Sequence, residues 1–153
     1  MRVIVAVIGK LKKNSPEYEL ICTYVERTKW PITVKEYEEK RSLSGDALRN
    51  AEAELLLSGV PEKAKVVVLD EHGKTLSSRE LAEQIQKWQL CGEDTIVFLI
   101  GGADGHGQKV KERADLVLSF GRMTLPHFLM RVVLAEQIYR AQTILAGHPY
   151  HRD

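Results

Sequence analysis

The chain has 153 residues, 44% apolar and 28% charged, the proportions of an ordinary globular domain. Its 22 Lys and Arg against 21 Asp and Glu leave a formal charge of +1, which excludes a life of non-specific attraction to nucleic acid; any such role needs a local patch, a structured target or a second subunit. No apolar run approaches the roughly 20 residues that cross a bilayer. Cys22 and Cys91 have no second cysteine at metal-ligand spacing, so we expect one cytoplasmic domain over residues 1–153, its thiols reduced.

Strand and helix patterns alternate from end to end. Arg2–Ile8 is a β-branched apolar run, the mark of a central strand. Ser15-Pro16 supplies an N-cap and a first-turn proline for a helix to about Thr28. Ile32–Tyr37 partly alternates, as a strand with one wetter face does, and Glu38–Ser44 is a charged loop. Asp46–Ser58 is helical, with Leu48, Ala51 and Leu55 on one face. Lys65–Leu69 is a third, buried strand, followed by a polar loop over Asp70–Lys74. Ser77 and Glu80 have capping-box spacing and open a helix to about Leu90. Thr95–Ile100 is a fourth strand that runs into the glycine-rich stretch Gly101–Gly107, followed by a helix over about Gln108–Ala114. Asp115–Phe120 is a short fifth strand, Gly121–Leu125 a loop, and Pro126–Ala146 a closing helix that Gly147 is placed to end. This alternation predicts an α/β fold, a parallel sheet with helices on both faces. Ligands of such sheets bind beyond the carboxyl ends of the strands, which selects the loops Asp70–Lys74, Gly101–Gly107 and Gly121–Leu125.

The loop Gly101-Gly102-Ala103-Asp104-Gly105 lets a ligand approach main-chain groups. It follows the fourth strand rather than the first and lacks dinucleotide or Walker spacing, which disfavours a phosphate-bearing cofactor. A plain tight turn remains an equal reading. Gly121-Arg122-Met123-Thr124-Leu125-Pro126-His127 is either a second ligand loop or simple helix-start chemistry. Set side by side, the two loops would offer main-chain donors and acceptors able to read an adenine edge. The closing helix is apolar over most of its surface, which calls for burial against the sheet and a second copy, or deep burial within one domain. Arg131 and Arg140 are either contacts for phosphate and bases or part of a solvated face. His72 and His106 read as exposed loop residues. The terminus Gly147-His148-Pro149-Tyr150-His151-Arg152 concentrates imidazole, phenol and guanidinium groups where chain ends are usually bland. His148 and His151 lack the companion ligands that a metal site needs, so no metal is expected.

Across its whole length the chain resembles the small SPOUT methyltransferases that methylate N3 of a pseudouridine in helix 69 of 23S ribosomal RNA. The resemblance rests on Leu69-Asp70, on Leu99-Ile100-Gly101-Gly102 with Gly105, and on Thr124-Leu125-Pro126-His127. It continues through Arg131-Val132, Leu134, Glu136-Gln137 and Tyr139-Arg140-Ala141 to His148-Pro149-Tyr150-His151-Arg152. It implies a C-terminal trefoil knot, a homodimer, and S-adenosylmethionine held by Leu69, Gly102, Gly121, Arg122, Met123, Thr124, Leu125 and Pro126. It also implies that His148, Tyr150, His151 and Arg152 form the catalytic, RNA-facing group, acting on 23S rRNA helix 69 within the assembled ribosome. One departure is local: the family often has proline then glutamate after the glycine pair, where this chain has Ala103-Asp104. The same alternation of elements would also suit a noncatalytic nucleotide-binding or ribosome-associated factor, or a SPOUT enzyme aimed at another RNA position.

Overall fold

A computed structural model describes all 153 residues. Five strands, β1 (Arg2–Ile8), β2 (Ile32–Tyr37), β3 (Lys65–Thr75), β4 (Thr95–Ile100) and β5 (Leu116–Ser119), form one sheet in the order β2-β1-β4-β3-β5. Every pairing is parallel. The helices are α1 (Pro16–Arg27), α2 (Gly45–Ser58), α3 (Ser78–Leu90), α4 (Gln108–Arg113) and α5 (His127–Leu145).

The central strands are apolar on both faces because helices cover both, and the two-residue period of a strand sorts their side chains. Val3, Val5 and Val7 of β1, with Ile96, Phe98 and Ile100 of β4, meet α3 and α5. Ile4, Ala6 and Ile8, with Val97 and Leu99, meet α2 and α4. Both expected N-caps form: the Ser15 hydroxyl accepts the Tyr18 amide, and Ser77 with Glu80 closes a reciprocal capping box.

The polar stretch after Leu69 is not a loop. β3 continues to Thr75 through an irregularity between Leu69 and Lys74, with Lys74 opposite Leu118 and Thr75 opposite Ser119. Side-chain polarity reports which groups face water, whereas the pairing is made by the main chain, for which β5 offers a free edge. The extension places Asp70, Glu71 and His72 on one wall of a cavity at the ends of these strands.

α5 buries Leu134, Ile138 and Ala141 against the sheet. Phe128 and Leu129 remain 45% exposed in the single chain, so its own domain does not cover all of this helix. No helix is long and apolar enough to cross a membrane.

Candidate functional site

A cavity of about 800 Å³ opens at the carboxyl ends of β3, β4 and β5, a size that takes a nucleoside-sized ligand. Its floor and sides are Leu69, Ile100, Leu118, Phe120, Leu125 and Met130; its rim carries Arg49, Asp70, Glu71, His72, Asp104 and Lys111.

The glycine pair after β4 is there for close packing. A Cβ on Gly101 would lie 2.9 Å from the His106 ring, and one on Gly102 would lie 2.9 Å from both carboxylate oxygens of Glu52. Two histidines hold this loop. His106 Nε2 donates to the Leu69 carbonyl at 3.0 Å, tying the loop to the end of β3. His127, the first residue of α5, donates from Nε2 to the Gly101 carbonyl. His106 is therefore not the exposed loop residue expected from sequence: it is 8% exposed, and burial pushes its pKa down, which favours the neutral ring.

Across the cavity, Gly121 takes a φ of +120°, a conformation that only glycine adopts without strain. The Ser119 hydroxyl donates to the Gly121 carbonyl and accepts the Gly121 amide, both at 3.0 Å, and lies 3.1 Å from the Glu71 carbonyl. The loop after β5 is thus fastened to the extension of β3.

Of the residues that the resemblance gives to the methyl donor, Leu69, Gly102, Gly121, Met123, Thr124 and Leu125 line this one cavity. Arg122 and Pro126 stand outside its wall. Sequence reasoning did not single out Arg49, Lys111 or Glu52, and it named His106 and His127 without their role in fastening the loop. Glu52 is the least expected. It is 7% exposed, its Oε1 has no hydrogen-bond partner, and burial, then Asp104 and Glu39, push its carboxyl pKa up. The one signal for it was its place between Ala51 and Ala53, small residues that let a helix pack closely.

The terminal group lies elsewhere. Tyr150 donates to Glu136 Oε1 at 2.9 Å, packs its ring 4.6 Å from that of Tyr139, and lies under the Arg140 guanidinium. Burial and the Glu136 contact push the phenol up to about 12, so it remains a donor at neutral pH. Arg140 also contacts His151 Nδ1 at 2.9 Å, while His151 Nε2 lies 2.9 Å from Asp153. With Arg140 as donor, the neutral ring carries its proton on Nε2. Arg79 of α3 holds the Asp153 carboxylate, whose pKa it lowers. The His148 ring is exposed and accepts the Tyr150 amide at 3.2 Å, and Arg152 is exposed. No tail residue lines the cavity. From Met130, on the cavity wall, to Arg140, which holds the tail, α5 rises roughly 15 Å.

The two arginines of α5 fit neither sequence reading. Arg131 is 4% exposed and paired with Glu36 at 2.9 Å; Arg140 clamps the tail. No group of three or more His, Cys, Asp or Glu side chains is placed to hold a metal.

Residues 1–151 match the family model described as predicted SPOUT methyltransferase. The ribosomal RNA large subunit methyltransferase H of Paramagnetospirillum magneticum is 54% identical over 152 residues, covering 99% of both chains. The protein of that name from Paracoccus denitrificans is 47% identical, with both chains covered completely. Among solved structures, a probable methylase family protein from Haemophilus influenzae shares the fold at a TM-score of 0.55 and 10% identity, covering 99% of this chain and 70% of its own. With the motif-bearing loops brought to one cavity and the family model matched almost end to end, the chain belongs to the SPOUT methyltransferase family.

Proposed function

We propose that the protein is an S-adenosylmethionine-dependent ribosomal RNA methyltransferase that modifies N3 of a pseudouridine in helix 69 of 23S rRNA, working in the cytoplasm as a homodimer on assembled ribosomes. The observation that carries this reading is the division of the site into a donor cavity and a separate, ordered group of RNA-type side chains. The cavity suits the donor. Apolar Leu69, Ile100 and Leu125 can flank an adenine beside main-chain donors and acceptors, and the rim acids Asp70, Glu71 and Asp104 outnumber Arg49 and Lys111, a balance that favours a cationic sulfonium. When bound, S-adenosylmethionine supplies an electrophilic methyl group. The protein must place the nucleophile in line with it and remove the N3 proton.

Those tasks fall to the tail. His148 is exposed and held through one main-chain contact, so a small rotation frees a ring nitrogen to take the N3 proton. His151, held by Arg140 and Asp153, orients the segment. Exposed Arg152 can meet a phosphate or the charge that develops on the base carbonyls. The Tyr150 ring supplies a stacking face.

The distance along α5 argues that each tail serves the partner's cavity rather than its own. The incompletely covered apolar stretch at Phe128 and Leu129 supplies a surface on which the partner would pack. The trefoil knot is part of the same reading, supported by the way the segment after β5 is fastened beneath the extension of β3.

The test is to replace Tyr150, His151 and Arg152 singly by alanine. Methyl transfer to large subunits should fall at least about tenfold, with calorimetric binding of S-adenosylmethionine unchanged. Full activity in all three variants would overturn the assignment. Mapping methylated nucleotides in rRNA from cells lacking the gene decides the position.

A further inference from the structure

The buried Arg131 of α5 spends its hydrogen bonds on a turn that no role of the cavity or tail explains. Its Nη2 donates to the Gly9 carbonyl at 2.8 Å and the Ile8 carbonyl at 3.3 Å. Its Nη1 pairs with Glu36 of β2, which accepts the Leu11 amide at 2.7 Å. The far side of the turn is closed by Ser15, whose amide and hydroxyl both donate to the Lys12 carbonyl, at 3.0 and 2.7 Å. A buried charge is expensive to maintain, and this one serves to make the segment Gly9–Ser15 rigid.

That segment presents Lys10, Lys12 and Lys13, all exposed and none in an ion pair. It contains no acidic residue, so it carries +3 in a chain whose total is +1. The other connections at this edge are balanced or nearly so: Glu38–Ser44 sums to zero, Gly101–Gly107 to −1. The acids that follow, Glu17 and Glu19, lie in the first turn of α1, where they complement the helix dipole.

The location is as specific as the charge. β1 lies beside β4 in the sheet, Val7 opposite Ile100, so the lysine turn starts about 5 Å from the root of the donor loop. α5 holds both: His127 fastens the Gly101 carbonyl and, one helical turn later, Arg131 fastens Gly9. The two attachments set the lysines and the donor cavity at a fixed separation.

Resting on the RNA reading above, we propose that the turn Gly9–Ser15 is a rigid phosphate-docking surface for the ribosomal RNA backbone, placed by α5 so that an RNA strand seated on Lys10, Lys12 and Lys13 is aligned with the methyl donor. Mobile lysines would lose entropy on meeting phosphates; lysines on a braced turn lose less, and their spacing can select a strand geometry.

The test compares the wild type, the triple variant Lys10→Ala, Lys12→Ala, Lys13→Ala, and a control with Lys63→Ala and Lys87→Ala, exposed lysines on other connections and helices. Large ribosomal subunits from cells lacking the protein are the substrate. The triple variant should raise KM for subunits about tenfold at physiological salt, leave kcat within about twofold, and leave calorimetric binding of S-adenosylmethionine unchanged. The slope of log KM against log salt should fall by about 2, since each phosphate contact contributes roughly 0.7–0.9. The control should change none of these. An unchanged KM in the triple variant, an equal loss in the control, or a loss with no change in salt slope (the mark of a protein partner) overturns the proposal. Failure of the wild type to methylate subunits would instead overturn the function on which the proposal rests.

Discussion

Replacing Glu52 by glutamine should stabilise the protein at neutral pH. The carboxyl lies under Gly102 with 7% exposure, one oxygen has no partner, and its pKa is raised by burial, then by Asp104 and Glu39. A group of this kind favours folding only while protonated. The advantage is complete below the unfolded-state value and is lost as pH rises through the higher folded-state value. At pH 7, above the unfolded-state value, the wild type must therefore either take up a proton on folding or bury a charge without a partner, and glutamine needs neither. An unsatisfied buried polar group costs about 1–3 kcal/mol, and for a chain of this size each kcal/mol shifts Tm by about 2–4 °C. Glu52→Gln should thus raise Tm by about 2–12 °C at pH 7 and by almost nothing near pH 4. Thermal unfolding followed by circular dichroism at equal protein concentration decides it, since a dimer's Tm depends on concentration. A variant no more stable than wild type at pH 7, or one with the same gain at both pH values, would refute the reasoning.

Arg131→Ala removes the guanidinium from an exposed Glu36, which keeps the Leu11 amide, and releases the turn at Gly9; urea unfolding should show a loss of about 1–3 kcal/mol, and no loss would mean that these bonds do not hold the turn in solution. Tyr150→Phe removes the bond to Glu136 and should lower stability by about 1 kcal/mol while keeping the ring packed on Tyr139, as a urea titration would show. Because the wild-type phenol ionises only near pH 12, its absorbance should show no titration of this group between pH 9 and 10.5; comparison with Tyr150→Phe isolates it. Gly102→Ala must displace Glu52 or the loop, so calorimetry should find binding of S-adenosylmethionine weakened at least about tenfold.

Much of the frame can be read from the residues because local chemistry and global fold agree. Ser15-Pro16 and the Ser77–Glu80 box are satisfied locally, and runs such as Thr95–Ile100 are apolar on both faces because both faces are covered. Sequence reasoning fails where a distant partner decides. Asp70–Lys74 looks like a loop until β5 supplies an edge for it. Arg131 looks like a surface or ligand-binding arginine until Glu36, 95 positions away, is brought against it. His106 becomes a buried fastening only because Leu69, 37 positions away, ends beside it. The glycine loops around the cavity are visible as motifs. The position of the tail, roughly 15 Å along α5 from the cavity wall, depends on the path of that helix and has no local signature.

The sheet order has a consequence for how the protein matures. β5, the last strand, adds to the outer side of β3, and only then can the loop at Gly121 and the start of α5 close the cavity. β1, the first strand, must in turn await β4, some 93 residues further on. Contacts of such long range form slowly. A chain still on the ribosome that made it has no donor cavity until its final quarter has folded into place, so competence to bind the methyl donor reports completion of the fold.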